Sequence, residues 1–336
     1  MTREQERRVK MDRVAIIGKQ QPRHIREHMR QMIIDAGFEA DLLDMETRNT
    51  IDFKEQLKGY QVLITAGEKI PAETMRYLGK ELKLISRFGV GTDEMDHKEA
   101  TKQGIAICNA AGTLSTAVAE CALGLMINLS RNFPQGDAEV RRGDWSRFFE
   151  GRNGHQIEGK TIGLIGFGDI AQALAKMLYG FDCRVLAYDL RWNGEIAEKY
   201  HVEYATIERI QKESDIISLH VPSTPTTAGM VNLSFLKAMK STAILINTGR
   251  GALVVEDDLV YALKNNIIAA AGLDVFVKEP LPIESPLVEL DNVMLLPHSG
   301  AGSEECVWKA GIMAAQNAID FLKGKTVATI LNPGYK

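Results

Sequence analysis

The chain has no apolar run long enough to cross a bilayer. Its most apolar helical candidate, Thr116 to Leu129, is interrupted by Glu120 and falls short of the roughly 20 residues a spanning helix needs. There is no excess of positive charge: 40 Lys and Arg against 44 Asp and Glu leave a formal net charge of −4, which offers no electrostatic footprint for nucleic acid or an anionic membrane surface. Met1 to Lys10 are dense in charge and lack the apolar stretch of a secretory signal, so the expectation is a cytoplasmic protein. Cysteine is scarce. Cys108, Cys121, Cys183 and Cys306 have no metal-ligand spacing and sit mostly among apolar neighbours, which predicts buried free thiols and no metal. No Pro/Ser-rich linker, low-complexity tract or long charge run is present. These absences leave small-molecule work.

At 336 residues, 45% of them hydrophobic, the chain is too long for one core and suggests two globular domains. Short β-branched runs alternate with helical patterns: Val14 to Ile17, Val62 to Thr65, Leu82 to Ser86, Ile105 to Cys108, Ile162 to Ile165, Val185 to Tyr188, Ile216 to Leu219 and Ala243 to Ile246. Such alternation predicts an α/β fold of parallel sheets with crossover helices. Ile25, Met29, Met32 and Ile33 recur at helical spacing and stop at Gly37; Val307 to Leu322 do so before Gly324.

One turn carries a recognisable chemistry. Gly166-Phe167-Gly168-Asp169-Ile170-Ala171 follows the apolar run ending at Ile165 and opens a helical stretch, and the next apolar run ends at Asp189, 21 positions after Gly168. The first glycine makes the tight turn, the second lets a pyrophosphate approach the backbone, and the small third residue lets helix pack on sheet. The phosphates then meet the helix N-terminus. Asp189 stands where a carboxylate accepts from ribose hydroxyls and repels a 2′-phosphate, so NAD is favoured over NADP even with Arg191 two residues on. The N-terminal βα turn, Gly18-Lys19-Gln20-Gln21-Pro22, lacks this spacing. The reading is therefore two Rossmann-like, doubly wound parallel-sheet domains with a cleft between them: a flavodoxin-like substrate domain, 11–114 plus 307–336, and an NAD domain, 115–306.

Three further apolar segments deliver polar residues at strand ends, where open α/β sheets bind ligands: Ile244 to Asn247 leading to Arg250, Gly272-Leu273-Asp274 leading to Glu279, and Val293 to Leu296 leading to His298. Taken singly, each has a plain structural reading: an ion-paired surface arginine, a turn acid before Pro280, a hydrogen-bonded histidine. Together, beside a nicotinamide, they suit hydride transfer to a 2-keto acid. Arginine holds the substrate carboxylate with two prongs and polarises the carbonyl. His298 donates the proton, and Glu279 orients the imidazole and supports its charged form. His220 is a rival strand-end histidine, expected near the adenosine; His155 is expected to be solvated. Val118 to Met126 read as a buried or interfacial helix. Trp145 reads as a packing anchor in a loop that reaches across a dimer.

The chain resembles the NAD-dependent D-2-hydroxyacid dehydrogenases over nearly its full length. The resemblance rests on Ser86-Arg87-Phe88-Gly89-Val90-Gly91-Thr92-Asp93, Val118-Ala119-Glu120, Gly159-Lys160-Thr161-Ile162-Gly163, the glycine turn, Asn247-Thr248-Gly249-Arg250-Gly251, Leu273 to Phe276 with Glu279-Pro280, and Pro297-His298. It implies Arg250, Glu279 and His298 as the catalytic trio and a homodimer. It implies that the backbone at Val90 and Gly91 cradles the substrate carboxylate, with Arg250 and His298 also on the substrate. On the cofactor, it assigns Gly166, Gly168, Asp169 and Ile170 to the pyrophosphate, Asp189 to the ribose, Val221 and Pro222 to the adenosine, and Thr248, Gly249, Arg250, Asp274, His298 and Gly300 to the nicotinamide side. Members acting on 3-phosphoglycerate tend to carry arginines after the third strand, whereas Thr65-Ala66-Gly67-Glu68-Lys69 has none, only Lys69. Several N-terminal segments nonetheless look most like the phosphoglycerate dehydrogenase branch. Hydroxypyruvate or glyoxylate reduction is the alternative, with a formate or phosphite dehydrogenase or an NAD-sensing co-repressor-like protein as further readings of the same fold.

Overall fold

In a computed structural model of the chain, the described residues are 11–18, 21–44, 54–93, 95–146, 150 and 153–336. Met1 to Lys10, and Lys19 and Gln20 of the first βα turn, lie outside them. The chain divides into two compact units, Met1–Leu114 with Glu304–Lys336, and Ser115–Ser303.

The first unit is built on a five-stranded parallel sheet of β1 (Arg13–Ile17), β2 (Glu39–Leu43), β3 (Val62–Thr65), β4 (Leu84–Arg87) and β5 (Ala106–Cys108), in the order β2-β1-β3-β4-β5. Helices cover both faces, so alternate residues of one strand enter different cores. Val14 and Ile16 of β1 pack with α1 (Arg23–Asp35) and the C-terminal helix Glu304–Leu322; Ala15 and Ile17 pack with α2 (Ala72–Leu78) and Ala100 of α3 (His97–Gln103). Helix α1 ends two residues before Gly37, whose φ of 94° a residue with a Cβ adopts only at a cost. The C-terminal helix begins at Glu304, three residues ahead of the expected Val307, and its Gly311 lies so close to Ile25 that an added Cβ would meet that side chain at 2.8 Å.

The second unit carries seven parallel strands, β6 (Thr161–Ile165), β7 (Arg184–Tyr188), β8 (Val202–Tyr204), β9 (Ile216–Leu219), β10 (Ile244–Asn247), β11 (Ala270–Leu273) and β12 (Val293–Leu295). Their order is β12-β11-β10-β9-β6-β7-β8. Helices α4 (Ser115–Arg131) and α6 (Asp169–Leu178) pack on one face; α9 (Leu233–Lys237) and α10 (Glu256–Lys264) pack on the other. Between them in the chain come α5 (Phe133–Arg141), α7 (Gly194–Lys199) and α8 (Ile207–Glu213), and the C-terminal helix is α11. Strand order reverses at the β6/β9 junction here and at β1/β3 in the first unit. At such junctions flanking helices lie on opposite faces and a crevice opens at the C-terminal strand ends.

Trp145 does not pack as an anchor within the chain: it is 61% exposed, as are Phe133 and Val140 of α5 to about half. All four cysteines are free, Cys108 and Cys306 buried as expected, Cys121 and Cys183 only half-buried. Among the described residues no helix is long and apolar enough to cross a membrane.

Candidate active site

The glycine turn closes at the β6 strand end. Gly166 has φ of 98°, and a Cβ there would come within 2.5 Å of the His220 carbonyl oxygen, so only glycine fits both the conformation and the space. Gly166 N–H donates to Tyr188 O at 2.8 Å. Gly168 caps α6, and a Cβ there would meet nothing within 4 Å, so the helix N-terminus faces open space. Asp189 is tied to the same turn: its Oδ2 accepts from Phe167 N–H at 2.6 Å and its Oδ1 from Arg191 N–H at 2.7 Å. The acid and the glycines thus hold one another in place, and the carboxylate keeps lone pairs for a ribose.

At the β10 end, Asn247 is buried and clamps the following loop from both sides. Its Nδ2 donates to Arg250 O at 2.9 Å and its Oδ1 accepts from Gly249 N–H at 3.1 Å. Arg250 is half-buried, and its guanidinium donates to Gly249 O at 2.8 Å. A Cβ on Gly251 would lie 2.0 Å from the Phe276 carbonyl carbon, so the arginine loop presses directly on the loop after β11. Phe276 N–H in turn donates to Glu279 Oε1 at 3.0 Å, and Glu279 Oε2 meets His298 Nδ1 at 2.7 Å. A continuous set of contacts therefore runs from Arg250 to His298 across β10, β11 and β12.

His298 has φ of 53°, uncommon for a residue with a side chain. Asp274 holds it there: the His298 N–H donates to Asp274 O at 2.9 Å, while the carboxylate accepts from Ser299 N–H at 2.7 Å and Gly300 N–H at 2.8 Å. Both Asp274 carboxylate oxygens are thus committed to the backbone after the histidine, a positioning role that no spacing in the sequence announces. Cys121 lies 3.8 Å from where a Gly300 Cβ would be, and burial pushes its thiol up to about 11, so beside this loop it stays protonated.

Residues 123–300 match the family described as D-isomer specific 2-hydroxyacid dehydrogenase, NAD binding domain. Over 284 residues, 83% of this chain and 85% of the relative, the chain is 40% identical to a glyoxylate reductase of Thermococcus litoralis. The chain belongs to the D-isomer specific 2-hydroxyacid dehydrogenase family. It is 39% identical to a D-3-phosphoglycerate dehydrogenase of Methanocaldococcus jannaschii, over 83% of this chain but only 53% of that longer protein. The solved TT0316 protein of Thermus thermophilus superimposes with a TM-score of 0.83 at 31% identity, covering 95% of this chain and 99% of that one. The chain is an NAD-dependent D-2-hydroxyacid dehydrogenase, and NAD is its cofactor.

The dehydrogenase's own atoms fit that cofactor. Besides the open helix N-terminus at Gly168, Thr248 is 8% exposed and its Oγ1 has no hydrogen-bond partner among the described residues. A buried hydroxyl without a partner is costly unless a ligand completes it.

His220 packs behind the glycine turn, its N–H donating to Ile165 O at 2.7 Å. Its Nε2 is shielded, with no hydrogen-bond partner among the described residues, and burial lowers its pKa to about 4. Among the described residues no carboxylate meets its ring, unlike that of His298. His155 is exposed, as expected. The shielded ring of His220 has a stability consequence. Between pH 6.5 and about 4 the unfolded chain binds a proton that the folded chain refuses. Stability is therefore full above that window and falls as pH drops through it, by up to roughly 3 kcal/mol. Urea unfolding at pH 7 and pH 4 is expected to show a smaller acid loss in His220→Asn than in wild type; equal losses would refute the assignment.

Proposed function

We propose that this dehydrogenase reduces a small 2-keto acid to the D-2-hydroxy acid, reversibly, with Arg250, Glu279 and His298 as its catalytic trio. The observation that carries the reading is the 2.7 Å contact of His298 Nδ1 with Glu279 Oε2 at the end of β12. With Nδ1 on the carboxylate, Nε2 is the nitrogen left for a substrate oxygen, and the ring orientation is fixed by a group that offsets its positive charge. Bound NADH supplies the hydride. His298 Nε2 gives a proton to the carbonyl oxygen as the alkoxide forms and takes it back in oxidation. Arg250 binds the substrate carboxylate and draws electron density from the adjacent carbonyl. Val90 and Gly91, at the rim of the first sheet, are assigned to the substrate carboxylate, which makes the first unit the substrate domain.

On the cofactor side, Gly166, Gly168, Asp169 and Ile170 are assigned to the pyrophosphate and Asp189 to the ribose, which favours NAD over NADP. Val221 and Pro222 are assigned to the adenosine, and Thr248, Gly249, Asp274 and Gly300 to the nicotinamide side. We further propose a cytoplasmic homodimer: four free thiols suit a reducing compartment, and the exposed Phe133, Val140 and Trp145 offer an apolar surface for a second copy.

One spectrophotometric panel tests the reading. NADH is expected to be consumed with one or more of glyoxylate, hydroxypyruvate, pyruvate and phosphohydroxypyruvate, and NAD not to be reduced by formate or phosphite. No consumption with any keto acid, or reduction by formate or phosphite alone, would overturn it; light scattering on the same preparation reads the oligomeric state.

A further inference from the structure

Two carboxylates share the loop that follows β11. Its successive N–H groups at Phe276 and Val277 go to different acids: Phe276 N–H donates to Glu279 Oε1 at 3.0 Å, and Val277 N–H donates to Glu256 Oε1 at 2.8 Å. Glu256 opens α10, 21 positions back in the chain, and all of these residues belong to the second unit. Elsewhere in the chain one carboxylate takes both of two successive amides. Asp274 does so with Ser299 and Gly300, and Glu68 Oε2 accepts from Ala66 N–H at 2.8 Å and Gly67 N–H at 3.1 Å. Adjacent backbone donors of this kind favour an anion that bridges them. At 276 and 277 Glu279 takes only the first, because the second is occupied from another helix. Its remaining oxygen, Oε2, is left on His298 Nδ1 at 2.7 Å.

We propose that Glu256 is a positioning residue for the reaction: by holding Val277 N–H it confines Glu279 to Phe276 N–H and keeps the second Glu279 oxygen on the imidazole of His298. The inference rests on the reading of Arg250, Glu279 and His298 as the catalytic trio. With Val277 N–H unfilled, the Glu279 carboxylate gains by turning to bridge both amides, and that turn takes Oε2 off the ring. The loop itself has other anchors. Gly251 presses on the Phe276 backbone, the Phe276 side chain is buried in one core with Leu253 and Leu259, and Asp274 N–H donates to Asn247 O at 2.9 Å. Loss of Glu256 therefore leaves the loop in place and frees one donor within it. The Glu256 charge also favours the start of α10, a structural role that Asp257 and Asp258 of the same turn share.

The test compares Glu256→Gln, Glu256→Asp and Glu256→Ala, each alone and combined with Glu279→Ala, by kcat and KM with a keto acid that the wild type reduces. Glutamine keeps an acceptor oxygen at full reach and loses the charge; aspartate keeps the charge and falls one methylene short. Glu256→Gln is expected to stay within about twofold of wild-type kcat, whereas Glu256→Asp and Glu256→Ala lose about five- to twentyfold in kcat with the KM for NADH unchanged. In the Glu279→Ala background the same substitutions should cost nothing more, because the group they act through is gone. A loss that persists undiminished there would make Glu256 a loop or helix anchor only and overturn the proposal. Full activity in Glu256→Asp beside an impaired Glu256→Gln would overturn it too, by assigning the effect to charge at the helix start, and this pair decides the matter even where alanine fails to fold. Wild-type kcat in Glu256→Ala would likewise overturn it. Wild-type kcat in Glu279→Ala would instead remove the catalytic-trio reading on which the inference stands.

Discussion

Replacement of His298 by Gln is expected to lower kcat for keto-acid reduction by about 10²- to 10⁴-fold while NADH binding is retained. The asymmetry follows from where the side chain is held. The His298 backbone is fixed by Asp274 through its own N–H and through the Ser299 and Gly300 amides, and none of those bonds involves the imidazole. Glutamine can occupy the position and donate a hydrogen bond, but it cannot release a proton as the carbonyl oxygen gains charge. Stopped-flow turnover and NADH fluorescence titration read the two quantities separately. Turnover within a few-fold of wild type would move the acid role to another residue.

The parts of the fold that could be read from the sequence are those where one physical requirement dominates. Val62–Thr65 and Ile216–Leu219 are strands with the bounds their apolar runs mark, because a parallel strand covered on both faces needs every side chain apolar or small. Strands β2, Glu-Ala-Asp-Leu-Leu, and β8, Val-Glu-Tyr, lie at sheet edges with exposed positions, and their mixed composition carries no period. The strand-end residues of the site are similarly legible, since Arg250, Glu279 and His298 each follow an apolar run. Their coupling is not. The approach of Gly251 to the Phe276 backbone, and the bond from Phe276 N–H to Glu279, depend on how neighbouring strands align their ends. The hold of Asp274 on the Ser299 and Gly300 amides leaves no mark in the sequence either. The inward turn of Glu68 beside an outward Lys69 is set by two loop hydrogen bonds that leave no pattern in composition or periodicity.

Arg250→Lys is expected to reduce kcat/KM for the keto acid by about 10²- to 10³-fold, a loss comparable to removing one preorganised donor to a developing oxyanion. The guanidinium donates one N–H to the Gly249 carbonyl at 2.8 Å, which sets the plane of the fork. A lysine ammonium is a single point of charge. If it bonds Gly249 O, it cannot reach along a carboxylate and the neighbouring carbonyl at once; if it reaches the substrate, the carbonyl loses its partner. The loss should appear in KM, from weaker carboxylate binding, and in kcat, from weaker polarisation. The loop should survive the change, because Asn247 holds it through backbone atoms of residues 249 and 250 and Gly251 packs on Phe276. NADH affinity and the thermal midpoint of Arg250→Lys should therefore stay close to wild type. A variant with wild-type kcat/KM would show that charge alone suffices at this position, and the two-pronged role would fall. Combining it with His298→Gln discriminates further: if both groups act on the same carbonyl in one transition state, the double variant should lose less than the product of the single losses, since removing the proton donor already forfeits much of what polarisation contributes.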